Sequence, residues 1–219
     1  MNYEQYKNSR DLAWEILIQY SDGRLPVDLK RLAKQLNVSF SNYTKGAKLI
    51  HQLELAPLCY HNDGFAMMHK NGYIVFYDER IFPKERIRFT IAHELGHILL
   101  RHALSPIGQQ RIPATTQNNG EMMEYDNMEF AANIFASRIL APACVLYELG
   151  ITDAKKISKL CGLSMQAATY RAARMDELIR RNAWYKHPLE RNVKAIFSKF
   201  ILHYKKMEWE ALKFEKEMR

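Results

Sequence analysis

Two histidines and a glutamate at residues 93–97 have the types and the spacing of a metal site. The segment reads HELGH, an HExxH pattern, and lies in a predicted helix that runs from Pro83 to about residue 102. Residues four apart lie on one face of a helix, so His93 and His97 can bind one metal ion. Glu94 can then reach a water molecule on the metal. The alternative is two hydrogen-bonded core histidines, which the apolar neighbours disfavour because unligated imidazoles are costly to bury.

Zinc needs a third protein ligand, and the HExxH helix does not offer one. A metzincin would carry a histidine six residues after the second ligand, where this chain has Ala103. His102 lies five residues after His97, off the ligand face, and we expect it to interact with the C-terminal end of the helix. The third ligand must therefore come from another segment.

The next predicted helix, over residues 124–140, carries three acidic candidates, Glu124, Asp126 and Glu129. Context favours Glu129, because Asn133 follows one turn later on the same face. Its amide oxygen can accept a hydrogen bond from a ligand imidazole. An ordinary solvated carboxylate is the alternative for Glu129. The small residues that would let this helix pack closely are Ala131, Ala132 and Ala136.

Together, these two segments resemble the ImmA/IrrE family of zinc metallopeptidases. The resemblance rests on RFTIAHELGH at 88–97, on ExxANxFA from Glu129, and on the Leu-Ala-Pro that follows at 140–142. It extends over about residues 25–180. The chain departs from the family by a longer loop before the third ligand (103–123) and by an extended basic C-terminal helix.

The resemblance implies zinc on His93, His97 and Glu129, with Glu94 as the catalytic base. It also implies an intracellular protease that cleaves or inactivates a helix-turn-helix repressor and so induces genes, often on phages and mobile elements. Three protein ligands leave one position on zinc for water, whose proton Glu94 would take and pass to the leaving amine.

The donor that would stabilise the oxyanion is left open among Tyr125, Tyr170 and Arg171. The strand predicted at 73–77 is the second arm of a hairpin around Asn71-Gly72. We expect it either to present an edge on which an extended substrate adds or to be plain core.

The net charge of +8 lies in the last third of the chain, where residues 151–219 hold 16 basic and 8 acidic side chains. Two predicted helices, at 153–161 and 165–181, resemble a helix-turn-helix. Residues 164–181 could then contact DNA, with Gln166, Tyr170 and Arg174 on the exposed face. Packing on the protease core or docking of the repressor are the alternatives.

The sequence predicts an α+β protein with three parts. Residues 1–150 form a mostly helical, zincin-like domain with a small antiparallel sheet, 151–185 form the helix-turn-helix-like segment, and 186–219 form one long amphipathic helix. The three cysteines form no CxxC pair, which excludes a thiolate zinc site and fits a reducing cytoplasm. No signal peptide or membrane-spanning run is expected. The competing function is a DNA-binding or repressor-docking regulator with a structural or idle zinc site.

Overall fold

The computed structural model describes residues 3–70, 72–102, 119–182 and 184–218, with the backbone alone for residues 119–125. Most of the loop predicted over 103–120 lies outside the described residues. Within them the chain is mostly helical and has one small sheet, which confirms the α+β prediction.

The strands are β1 (Val38–Asn42), β2 (Gly64–His69) and β3 (Gly72–Tyr77). The helices are α1 (Tyr3–Tyr20), α2 (Leu29–Gln35), α3 (Tyr43–Gln52), α4 (Ala56–His61), α5 (Glu85–Leu99), α6 (Asn119–Leu140), α7 (Ala143–Glu148), α8 (Ala154–Cys161), α9 (Met165–Arg181), α10 (Pro188–Ile196) and α11 (Ser198–Glu217).

The sheet is mixed rather than antiparallel, with the strand order β1-β3-β2. β2 and β3 form the predicted hairpin, in which His69 pairs with Gly72. β1 pairs with β3 in parallel, with Val38 opposite Tyr73. The prediction that residues 73–77 present a free edge is therefore wrong, because β3 is the central strand. Its β-branched and aromatic side chains leave no polar face, as suits a strand covered on both sides.

Helix α6 runs through the middle of the main core. Its buried face includes Ala132, Phe135, Ala136 and Ile139, which are all at most 1% exposed. By length and composition alone, Asp126–Glu148 would pass as a membrane span, which the sequence reading did not anticipate. However, 72% of that apolar window is buried inside the protein. The apolar character of this segment, which covers most of α6 and all of α7, is therefore explained by its place in the core.

The helix pair of the last third forms as predicted. Gly162 ends α8 in the left-handed conformation, with φ +64°, which glycine adopts without strain. Ser164 caps α9 by accepting a hydrogen bond from the Ala167 N–H at 3.3 Å.

The single long C-terminal helix is a wrong prediction, because the chain forms α10 and α11 with a break at Phe197. Val193 and Phe197 are fully buried, and α10 packs against α1 and α7. The apolar spacing of three or four residues continues across the junction, so the pattern does not reveal the break. The apolar side chains that α11 leaves exposed include Leu202, Met207, Trp209, Leu212 and Phe214.

Candidate metal centre

Two small residues bring the helices of the metal site together. A Cβ atom added to Gly96 on α5 would lie 3.1 Å from the Ala132 Cα and 3.2 Å from its carbonyl oxygen on α6. That is closer than ordinary van der Waals contact, so the two backbones approach this closely only because both side chains are so small. The approach places Glu129, one turn before Ala132, beside the histidines of α5.

His93, His97 and Glu129 converge on one point. The Nε2 atoms of the two imidazoles are 2.9 Å apart. The carboxylate oxygens of Glu129 lie 3.2 Å from His93 Nε2 and 3.3 Å from His97 Nε2. All three potential ligand atoms lie within 4.8 Å of one another. Two imidazoles and one carboxylate are the donor set of a catalytic zinc site, so these side chains fit that ion.

The electrostatics of this cluster keep Glu129 ionised. Burial alone would raise the pKa of Glu129, but hydrogen bonds with His93 and His97 take it well below its usual range. Burial lowers the pKa of His93, whereas contacts with Glu129 and Glu94 outweigh that effect and raise it above the ordinary value. The carboxylate is thus already in the form that binds a metal ion.

Each imidazole has a partner on its other ring nitrogen. The Asn133 Oδ1 lies 3.0 Å from His93 Nδ1, the contact expected from the spacing of Glu129 and Asn133. The His102 Nδ1 lies 2.9 Å from His97 Nδ1. Burial, and then the neighbouring His97, lower the pKa of His102 to about 4, so its ring is neutral at neutral pH and can accept the His97 N–H. Such outer partners orient the Nε2 atoms toward the metal.

His102 does not lie in the last helical turn, where its sequence position places it. The sequence predicts a helix to about residue 102, but α5 ends at Leu99. Arg101 adopts the left-handed conformation, with φ +57°, and the His102 N–H donates to the His97 carbonyl at 3.1 Å. This Schellman-type turn folds the chain back, so that the His102 ring meets His97. No residue type at the end of this helix signals that turn, since the left-handed position holds an arginine rather than a glycine.

The carboxyl group of Glu94 is buried next to the cluster. Glu94 is 7% exposed and accepts a hydrogen bond from the backbone N–H of Ala66 on β2. Burial raises the pKa of Glu94 above that of an ordinary glutamate. A carboxylate with a raised pKa is the type of group that takes up and releases a proton near neutral pH.

A cleft of about 730 Å³ adjoins the metal site between α5, α6 and α9. Asn133 lies in its lining, and so do all three residues predicted to contact DNA or a partner, Gln166, Tyr170 and Arg174. Tyr170 is exposed, whereas Arg174 is partly buried and binds Glu177 and the Tyr6 hydroxyl.

Of the three candidates for oxyanion stabilisation, two have side chains within the described part of the structure. The Tyr125 side chain lies outside the described residues. Tyr170 and Arg171 line the cleft, where Tyr170 is exposed and Arg171 is buried and donates to the Ala141 carbonyl. Their contribution to catalysis stays a prediction.

Comparison with known proteins gives one family for this chain. The model of the family Peptidase_M78, described as an IrrE N-terminal-like domain, matches residues 50–173. This is more than half of the chain and includes α5, α6, α8 and the first half of α9. A search of the curated proteins finds no match. The family match and the His93, His97 and Glu129 cluster agree with the resemblance read from the sequence. The chain therefore belongs to the ImmA/IrrE family of metallopeptidases.

Proposed function

We propose that this protein is a zinc-dependent endopeptidase of narrow specificity that cleaves or inactivates a helix-turn-helix repressor. The observation that carries the proposal is the convergence of His93, His97 and Glu129 beside the buried Glu94 carboxyl in a metallopeptidase family. The repressor substrate, the cytoplasmic location and gene induction of the phage or mobile-element type rest on the family resemblance alone.

The chain would hold zinc through two nitrogen donors and one carboxylate. Asn133 and His102 fix the imidazole rings of His93 and His97, so that both Nε2 atoms face Glu129. A bound zinc ion supplies Lewis acidity, which polarises the scissile carbonyl and lowers the pKa of the attacking water.

Glu94 performs the proton transfers in this proposal. Its carboxylate takes a proton from the attacking water and gives it to the leaving amine when the peptide bond breaks. The Ala66 N–H holds the carboxylate in place from β2. Because burial raises the pKa of Glu94, the acid form is stable enough to serve as the proton donor in the second step.

The outer strand β2 is better placed than β3 to receive an extended substrate. It packs directly on α5, where a Cβ atom at Gly64 would lie 2.6 Å from the Thr90 Cγ2. β2 is an outer strand of the sheet, and its Ala66 N–H contacts Glu94, so this strand passes beside the catalytic carboxyl. A peptide segment that pairs with this edge would pass beside the metal ligands.

The rival function, DNA reading by residues 164–181, gains less support. A groove-reading side chain must be free to reach base edges, whereas Arg174 is engaged by Glu177 and Tyr6. Gln166 and Tyr170 share the cleft that adjoins the metal site. These positions favour contact with a protein substrate over contact with DNA.

The test incubates the purified protein and Zn²⁺ with any helix-turn-helix repressor that a neighbouring gene encodes. We expect cleavage by the wild type and a rate lower by about 10²–10⁴-fold for Glu94→Gln, which removes the base and leaves the metal ligands intact. Glu85→Gln is the matched control, because Glu85 is an exposed carboxylate in the first turn of the same helix. Equal cleavage by both variants, or none by the zinc-loaded wild type, would contradict the proposal.

A further inference from the structure

We propose that the end of the cleft remote from the metal site binds a carboxylate that is carried on an apolar ligand. Three guanidinium groups, from Arg138, Arg171 and Arg174, line this end. Where the carboxylate belongs to a peptide substrate, the inference rests on the proposed function. Where it belongs to a small organic acid, it does not.

The first argument is the burial of positive charge with uncharged partners. Arg138 is 6% exposed and donates to the Tyr6 hydroxyl, and Arg171 is 4% exposed and donates to the Ala141 carbonyl. A buried charge without an opposite charge is costly, and such charges are usually paired. Burial, and then the neighbouring Arg138, lower the pKa of Arg171 to about 9, which is still protonated at neutral pH.

The second argument is an unused donor. The Nε atom of Arg171 is buried and has no hydrogen-bond partner among the described residues. Buried polar groups of native proteins are nearly always satisfied, and an exception calls for an explanation such as a bound water, an ion or a strained contact. Since Arg171 also lines the cleft, its guanidinium adds positive charge to the wall that an anion would meet.

The third argument is the effect of the arginines on the pKa of Tyr6. Its phenol contacts both Arg138 and Arg174. Burial alone would raise the pKa of Tyr6, but the two arginines outweigh burial, so that it falls below the ordinary value. The site is therefore electropositive enough to stabilise a buried anion.

Nearby carboxylates do not cancel this charge. Glu177 binds Arg174 but is shared with Arg181. The buried Glu190 interacts with Arg138 only at a distance, and its pKa is raised by burial. Elsewhere in the cleft lining, Asp63 is paired with Arg86.

The rest of the lining gives the class of ligand. The cleft between the arginines and the metal site has walls of Phe89, Phe130, Ile134 and Leu163. An inorganic anion would bind the arginines but would leave the apolar walls in contact with water. A carboxylate on an apolar body would bind the arginines through its charge and the walls through its apolar part. A peptide with an acidic residue among apolar ones has this chemistry, and so does an aryl-substituted organic acid.

The first arm of the test compares 3-phenylpropanoate with its neutral amide, each titrated into the protein by calorimetry. We expect the acid to bind at least about tenfold more tightly than the amide, since charge-assisted hydrogen bonds form with the acid alone. Arg174→Gln should remove this preference, and Arg180→Gln, an exposed arginine of the same helix, should keep it. The wild-type comparison needs no variant, so a folding defect does not obscure the result.

The second arm uses the peptide acetyl-Ala-Leu-Phe-Glu-Leu-Ala-amide and its Gln counterpart, with Glu94→Gln as the protein so that no turnover intervenes. Preference for the Glu peptide assigns the site to the substrate, and preference for the small acid alone assigns it to a free organic acid. No preference for charge in either arm, or equal preference in Arg174→Gln and Arg180→Gln, overturns the inference. Binding is measured without cleavage, so anion binding can hold even if the repressor is not cut.

Discussion

Helix α6 contributes to two clusters of buried charge that differ in how their charges are balanced. Near its middle, Glu129 faces His93 and His97 at 3.2 Å and 3.3 Å, and each imidazole has an outer partner. Toward its end, Arg138 meets Arg171 and Arg174, and the partners of the first two are uncharged. The first cluster therefore has the composition of a cation site, and the second that of an anion site.

The difference shows how burial alone is a poor guide to function. Both clusters are shielded from water, but in the histidine cluster both ring nitrogens of His93 and of His97 have partners. Its orientation is already set by Asn133 and His102, so a metal ion can bind without rearrangement. The arginine cluster keeps an unpartnered donor and excess positive charge, which an anionic ligand would satisfy.

The largest expected effect is on metal binding by His97→Ala. A zinc site contributes about 10–16 kcal/mol over its ligands, so the loss of one should weaken zinc binding on the order of 10²–10³-fold. Competition with a chromophoric chelator measures the dissociation constant. His61→Ala, on α4, should bind zinc like the wild type. Unchanged zinc affinity in His97→Ala would show that His97 does not bind the metal.

A smaller loss is expected when the outer partners are removed. Asn133→Ala and His102→Ala should each weaken zinc binding by about 10–100-fold, because each leaves a ligand imidazole without its orienting hydrogen bond. The same competition assay applies. Asn133→Asp keeps an acceptor for the His93 N–H and should retain most of the affinity. A His102→Ala variant with wild-type affinity would show that its contact with His97 is incidental.

The arginine cluster should respond differently to the loss of a member. Arg171→Met removes a buried charge next to Arg138 and costs one hydrogen bond to Ala141, two effects of opposite sign. We expect the free energy of unfolding in urea to change by no more than about 1 kcal/mol. A loss of about 3–5 kcal/mol, typical of a broken buried ion pair, would mean that Arg171 is a paired structural charge.

The smallest effect is a shift in the ionisation of Tyr6. Because its pKa is lowered, the phenol should titrate below 10, as measured by phenolate absorbance of the wild type minus that of Tyr6→Phe. The associated stabilisation is complete only above pH 10 and is lost as the pH falls through the folded-state pKa. Bound 3-phenylpropanoate should move the titration upward by neutralising the arginines. A midpoint at or above 10 in the free protein would contradict an electropositive site.

The helices, turns and site residues that depend on short-range sequence pattern could be predicted from the sequence. The HExxH helix, the hairpin around residues 71–72, and the helix pair on either side of Gly162 all follow from short-range spacing and turn residues. Glu129 could be singled out because Asn133 lies one turn away on the same face.

The parts that depend on tertiary contact could not be predicted. β1 pairs with β3 between residues 35 apart in the chain, such as Val38 and Tyr73, and no hairpin signal predicts that pairing. The turn that brings His102 back to His97 depends on Arg101 in the left-handed conformation. The break at Phe197 falls inside an apolar pattern that continues without interruption. The arginine cluster draws residues from α6 and α9, with Tyr6 from α1, which meet only in the folded chain.

The most direct test of the central claim is the zinc retained after dialysis by three forms of the protein. We predict one equivalent in the wild type, one in Asp126→Asn, and less than a tenth of an equivalent in Glu129→Gln, on the order expected for loss of a ligand. Asp126 is an exposed carboxylate of the same helix and one of the two other candidates for the third ligand. Equal zinc in all three forms, or a loss in Asp126→Asn instead, would contradict a site built from His93, His97 and Glu129.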